Sequence, residues 1–165
     1  MTTYIFGYGS LRNRRSLQKT LPGKRIEGHA SLDGYQRKMN APVNGRLYLN
    51  LVPNAGMTVR GVLIRVTDNE LTTLREREVG YICVNVTPRI NRKLSGTVFT
   101  FIAPDRSYPN MKVPQSYLDT CLDGLNSNAK KKWIQETVIE NEIEDDTKKP
   151  MYINAVKKDA QRAVG

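Results

Sequence analysis

The first sixty-odd residues of this chain are dense with strand signals separated by short turns. Thr3-Tyr4-Ile5-Phe6 is β-branched and aromatic and predicts a strand. Ile26, Gly28, Ala30 and Leu32 then alternate with polar or charged neighbours, ending near Asp33-Gly34, and Tyr35 to Asn40 predicts another strand. Leu47, Leu49 and Leu51 alternate until Pro53-Asn54-Ala55-Gly56, and Val62, Ile64 and Val66 share one face of a strand begun at Val59. Strands so close together argue for a compact, curved or closed sheet. The expected fold is α+β, a small mixed β-barrel-like sheet flanked by helices.

The helical signals are fewer. Asn13 is placed to cap a helix carrying Leu17 and Leu21 on one face. Thr67-Asp68-Asn69-Glu70 has the capping-box form, with Leu71 and Leu74 following at helical spacing. That helix must be short, because by Tyr81 the period is two, with Ile82, Val84 and Val86 on one strand face. Gly96 to Ile102 is its natural partner. After a turn-rich loop from Pro104 to Pro114, the stripe Tyr117, Leu118, Cys121, Leu122 and Leu125 predicts a core-packed helix. Ser127 is the expected cap of another, running through Trp133, Ile134 and Val138. Glu140 to Lys149 reads as a solvated loop and Asn154 to Arg162 as a short basic helix. With no internal repeat, one domain over residues 1–165 is expected.

Composition excludes several classes. No run approaches the roughly twenty apolar residues of a membrane span, and the start lacks a signal-peptide pattern, so a cytosolic protein is expected. Cys83 and Cys121 are too few for a disulfide scaffold, and with His29 the single histidine no transition-metal site is expected. The net charge of +10 is uneven: residues 1–66 hold 11 Lys/Arg against 2 acids. A basic half could attract nucleic acid or another anionic partner. Arg12, Arg14 and Arg15 form its only tight cluster, however, with no aromatic platform beside them, so a solvated surface is the favoured reading.

The stretch with chemical content is Phe6-Gly7-Tyr8-Gly9-Ser10-Leu11, a glycine turn between the first strand and the first helix. Such a turn aims several backbone N–H groups at one spot, which suits an anion such as a carboxylate. It is not a dinucleotide fingerprint, since Arg12 stands at the third glycine and no acid follows about twenty residues on. Nor is it a nucleophile elbow, because Ser10 is out of frame.

The same turn resembles the signature of the γ-glutamylcyclotransferase-like superfamily, and further matches follow in order. Gly34-Tyr35-Gln36-Arg37 is similar to a Gly-Tyr-Arg-Arg strand of that family, and Val59-Arg60-Gly61-Val62-Leu63 to a Val-x-Gly-Val-Leu strand. Leu74-Arg75-Glu76-Arg77-Glu78-Val79-Gly80-Tyr81 resembles the segment carrying the family's catalytic glutamate. Tyr117 to Gly124 looks like a late helix, and Asp146 to Tyr152 like a worn form of its Asp-Arg-x-x-Pro-x-Tyr tail. Arg75 stands where relatives often have aspartate, and the tail lacks an arginine.

The resemblance implies intramolecular aminolysis: the α-amine of a γ-glutamyl group attacks its own γ-carbonyl, releasing 5-oxoproline and an amine. No cofactor and no metal is implied. Glu78 is the implied acid/base, with Glu76 its local rival. Tyr8, Gly9, Ser10 and Leu11 would bind the glutamyl moiety, and Tyr81 would line the pocket. The motifs lean towards the glutathione-degrading branch without deciding the acceptor. A non-catalytic binding protein of the same fold, using its basic half, is the alternative.

Overall fold

The computed structural model describes residues 1–147. The basic helix expected at Asn154 to Arg162, and the tail beyond Thr147, lie outside the described residues.

The first strand, β1 (Thr2–Gly7), sits inside the sheet, and its run Tyr4, Ile5, Phe6 is buried on both faces. After helix α1 (Arg14–Thr20) come two strands much longer than the sequence suggests, β2 (Gly28–Val43) and β3 (Arg46–Val66). They form one antiparallel hairpin turning at Asn44-Gly45, where both residues have positive φ, 51° and 79°. Asn-Gly is the residue pair a tight two-residue hairpin turn prefers.

Neither Asp33-Gly34 nor Pro53 to Gly56 ends a strand. The register passes from Asp33 opposite Thr58 directly to Tyr35 opposite Pro53. The extra residues of β3 are taken up as an exposed irregularity, while Leu47, Leu49, Leu51 and Val59 stay buried on either side. Turn-forming residues within a long hairpin bend it, because the apolar alternation resumes in both directions.

Helix α2 (Asp68–Arg77), β4 (Ile82–Asn85) and β5 (Gly96–Ile102) follow. Next come β6 (Val113–Pro114), α3 (Gln115–Leu122), α4 (Ser127–Gln135), β7 (Thr137–Val138) and β8 (Ile143–Glu144). The main sheet has the order β4-β5-β1-β3-β2-β7, with β1–β5 and β2–β7 parallel and the other pairs antiparallel. It curls towards closure. Beyond β4, Ile90 bridges Leu32 of β2, and the Asn91 amide donates to the Ser31 carbonyl at 3.0 Å. This is the expected α+β class, a mixed barrel-like sheet flanked, among the described residues, by four helices.

Successive residues of β1 face two different cores. Tyr4 and Phe6 join Leu32, Leu47, Leu49, Leu63, Leu118 and Trp133 on one side. Ile5 joins Leu17, Leu21, Val62, Ile64, Leu74 and Phe101 on the other, where α1 and α2 cover the sheet. Near the chain's end two expectations are corrected. Asn126, not Ser127, caps α4, its side chain accepting from the Ala129 amide at 2.9 Å. That helix stops at Gln135 instead of reaching Val138, because Thr137 and Val138 pair with Arg37 and Lys38 of β2. Part of the stretch read as a solvated loop, Ile143 and Glu144, pairs with Val113 and Pro114.

Candidate active site

The glycine turn begins where β1 ends. One 3-10 turn, Ser10–Arg12, leads to Asn13, whose side chain accepts from the Arg15 and Ser16 amides at 3.0 and 3.2 Å and starts α1 as expected. The Asn13 side-chain amide also donates to Asp123 at 2.9 Å, joining the turn to the end of α3. The turn's carbonyls are used: Gly9 accepts from the Arg12 amide and Ser10 from the Asn13 amide. No described residue hydrogen-bonds the amides of Gly9, Ser10 and Leu11. Gly9 is required by close approach, since a Cβ there would lie 2.9 Å from the Tyr117 hydroxyl and 3.3 Å from Leu49 Cδ2.

Glu78 comes from the end of α2. Thr67 and Glu70 form the full capping box at the start of that helix, and Leu74 is buried beneath its last turn. Glu78 closes the helix by donating its N–H to the Leu74 carbonyl at 2.9 Å, and its own carbonyl accepts from the Tyr81 amide at 3.1 Å. Gly80 supplies the positive φ, 86°, that this tight turn needs. The Tyr81 hydroxyl, donating to the Leu49 carbonyl at 3.0 Å, pins the turn to β3. The side chains of Glu76 and Glu78 therefore part: Glu76 is exposed and Glu78 half-buried.

Between the two turns lies a cavity of about 380 Å³. Tyr8, Gly9, Ser10, Leu11, Glu78 and Tyr81, distant in sequence, all line it, and Glu76 does not. Glu78 is the only Asp, Glu, Lys, Arg or His among the lining residues, and no hydrogen bond or ion pair to a described residue engages its carboxylate. Burial pushes its pKa above the ordinary carboxylate value. Arg77 does not neutralise it, because its guanidinium instead donates to the Thr20 and Lys19 carbonyls at 3.0 and 3.3 Å.

Four tyrosines line the same cavity: Tyr8, Tyr48, Tyr81 and Tyr117. Tyr8 donates its hydroxyl to the Phe101 carbonyl. Its pKa is raised first by burial and then by the neighbouring Tyr81 and Glu78, and burial with Glu78 raises Tyr81 as well. Tyr48 and Tyr117 meet edge to face, ring centroids 4.8 Å apart. The helical stripe assigns Tyr117 to core packing, and it does pack against the core that holds Leu118 and Cys121, but it also lines the cavity. Tyr48, Val43, Thr100 and Phe101 also line the cavity without a sequence signal for it. Asn44-Gly45, by fixing the hairpin tip, is the one local cue that brings Val43 and Tyr48 together.

Cys121 lies behind this wall, its thiol pushed up to about 11 by burial, and Cys83 is half-buried and free. Among the described residues no group of three or more His, Cys, Asp or Glu could hold a metal ion. No helix among them is long and apolar enough to cross a membrane.

The model of the family described as gamma-glutamyl cyclotransferase, AIG2-like, matches residues 5–118. Among solved structures, a gamma-glutamyl cyclotransferase aligns with a TM-score of 0.67 at 15% identity, over 85% of this chain and 90% of that one. An uncharacterized protein from Homo sapiens aligns with a TM-score of 0.66 at 16% identity, over 84% and 90% of the two chains. A protein of Arabidopsis thaliana, 27% identical, aligns with a TM-score of 0.53 over 81% and 87%. No curated protein sequence matches this chain significantly.

Proposed function

The chain belongs to the gamma-glutamyl cyclotransferase, AIG2-like family, and from that premise we propose that its cavity cyclises a γ-glutamyl compound to 5-oxoproline. One observation supports this above the rest: an unpartnered, half-buried carboxylate and three unengaged backbone amides line the same small cavity.

The substrate's α-carboxylate is held by the amides of Gly9, Ser10 and Leu11, with the Ser10 hydroxyl beside them. The glutamyl chain folds so that its α-nitrogen reaches the γ-carbonyl. Because nucleophile and electrophile belong to one molecule, the protein's main task is to hold this pose. Glu78 takes a proton from the α-ammonium group, the nitrogen attacks, and a new C–N bond closes the five-membered ring. The bond to the leaving nitrogen then breaks as Glu78 returns its proton there, and the second proton of the ring nitrogen passes to the released amine, giving 5-oxoproline and an ammonium product. A carboxylate whose pKa is raised towards the working pH is suited to both transfers. Tyr8 and Tyr81, held neutral by their raised pKa values, border the carboxylate without competing for its proton. Neither cofactor nor metal enters this scheme, and the reaction belongs to the cytosol.

The test is to incubate purified protein with a γ-glutamyl amino acid, a γ-glutamylamine and glutathione, and to measure 5-oxoproline. Release from at least one compound is the expected result. Release from none, by protein shown to be folded, would overturn the proposal.

A further inference from the structure

Arg77 immediately precedes Glu78, and an arginine beside a carboxylate ordinarily pairs with it. Here it does not. One step along a helix turns a side chain by about 100°, so Arg77 and Glu78 leave α2 in different directions. The Arg77 guanidinium reaches the C-terminal end of α1 and donates through Nη1 to the Thr20 and Lys19 carbonyls at 3.0 and 3.3 Å. These are among the last carbonyls of that helix, which have no partner within it. A cation there also meets the negative end of the helix dipole.

The position of this clasp matters. Helix α1 is the direct continuation of the glycine turn through Asn13, and α2 ends in Glu78. No strand pairing joins the two helices. They are joined by the packing of Leu17 and Leu21 with Leu74, by the Lys24–Glu70 ion pair near the start of α2, and at the end nearest Glu78 by the Arg77 clasp. We propose that Arg77 is a positioning residue for Glu78. By engaging the carbonyls of α1 it fixes the carboxylate-bearing turn relative to the amides of Gly9 to Leu11, and it keeps its own charge away from the carboxylate.

Tyr8 and Tyr81 are the titratable groups whose charge couples to Glu78, Tyr48 and Tyr117 line the same cavity, and no cation lines it. Loss of the clasp should let Glu78 move outward, away from the burial that raises its pKa, and titrate closer to an ordinary carboxylate. Arg75 is the built-in control. It lies on the same helix end, is exposed, and its side chain makes no hydrogen bond or ion pair to another described residue.

The experiment compares Arg77→Gln, Arg77→Lys and Arg75→Gln with the parent protein by kinetics, pH profile and melting temperature. The kinetic arm rests on the cyclotransferase reading. A second arm, following the Glu78 carboxyl by ¹³C NMR titration, needs no substrate and stands if that reading fails. Arg77→Gln should lower kcat about tenfold with KM within about twofold, since positioning acts on the reacting state. It should also shift the Glu78 titration, and the matching limb of kcat/KM, to lower pH. Arg77→Lys, which keeps a donor within reach of a carbonyl, should recover part of both, and Arg75→Gln should change neither. An unmoved Glu78 titration in Arg77→Gln overturns the proposal, even where melting temperature or activity falls. So does an equal shift in Arg75→Gln.

Discussion

Two concave regions of this molecule differ sharply in charge. The candidate active site holds one ionisable acid, Glu78, and no cation. Elsewhere, two depressions share His29 and are lined by Arg14, Lys24, Arg25 and Arg60, with no acidic residue. In the sequence the second region is the louder, because the excess of positive charge sits in residues 1–66. Its charges are partly spoken for: Lys24 pairs with Glu70 at 2.8 Å, both side chains half-buried. A pair this close to solvent is worth at most about 1 kcal/mol. What marks the first region is a single group kept half-buried without a partner, an arrangement that costs stability and is concentrated at functional sites. Unrelieved burial of one charge, rather than the amount of charge, is what singles out the first region.

The sharpest way to break that comparison is to remove the proton from Glu78's chemistry while keeping its shape. Glu78→Gln should lower kcat by about a hundredfold or more, the usual scale of general acid/base catalysis, with substrate binding retained. Glu76→Gln, two positions earlier and in water, should stay within about twofold. Equal losses in the two variants would show that the half-buried position has no special role.

Next in size is the far wall. Gly9→Ala places a methyl group 2.9 Å from the Tyr117 hydroxyl, and Tyr117 is braced by Tyr48. Overpacking of this kind costs about 1–3 kcal/mol. It should displace the amides of Gly9 to Leu11 and reduce kcat/KM about tenfold. An alanine variant with full kcat/KM would mean that these amides do not hold substrate.

How much of this was legible beforehand depended on range. The caps at Asn13 and Thr67, the glycine turn and the helix end at Glu78 are local features, and local chemistry specifies them. Pro53 to Gly56 misled because turn residues look alike whether they end a strand or bend it, and the difference lies in the partner strand. Tyr117 packs against the core as its periodicity implies, but periodicity identifies an inward face of a helix without saying that a cavity lies there too. The partnership of Arg77 with the Lys19 and Thr20 carbonyls spans nearly sixty positions and involves backbone atoms, so no residue pattern announces it.

A smaller effect comes from the burial of Glu78 itself. Its folded-state pKa is raised, so the folded protein binds the proton more tightly than the unfolded chain does. By linkage, stability from this group is fully present below the ordinary carboxylate pKa and is lost as pH rises through the folded value. At neutral pH the ionised carboxylate is a liability that glutamine lacks. Glu78→Gln should therefore melt a few degrees above the parent at pH 7, the gap closing as pH falls below about 4. A calorimetric series showing an equal gap at every pH would place the cause elsewhere.

The smallest effect belongs to the basic region, and there the expectation is near silence. Arg25→Ser combined with Arg60→Ser should leave 5-oxoproline release within about twofold, since neither residue lines the cavity. Nucleic acid should bind more weakly than micromolar at near-physiological salt. Single strands need aromatic faces to stack upon, and no Phe, Tyr or Trp lines either depression. Duplexes need a row of free cations, and Lys24 is already paired. The measurement is fluorescence anisotropy with labelled duplex and single-stranded oligonucleotides across a salt series. Micromolar or tighter affinity, falling steeply with salt and lost in the double variant, would mean that phosphates displace water from this surface after all. The louder region would then be a site in its own right, and charge density as good a guide as burial.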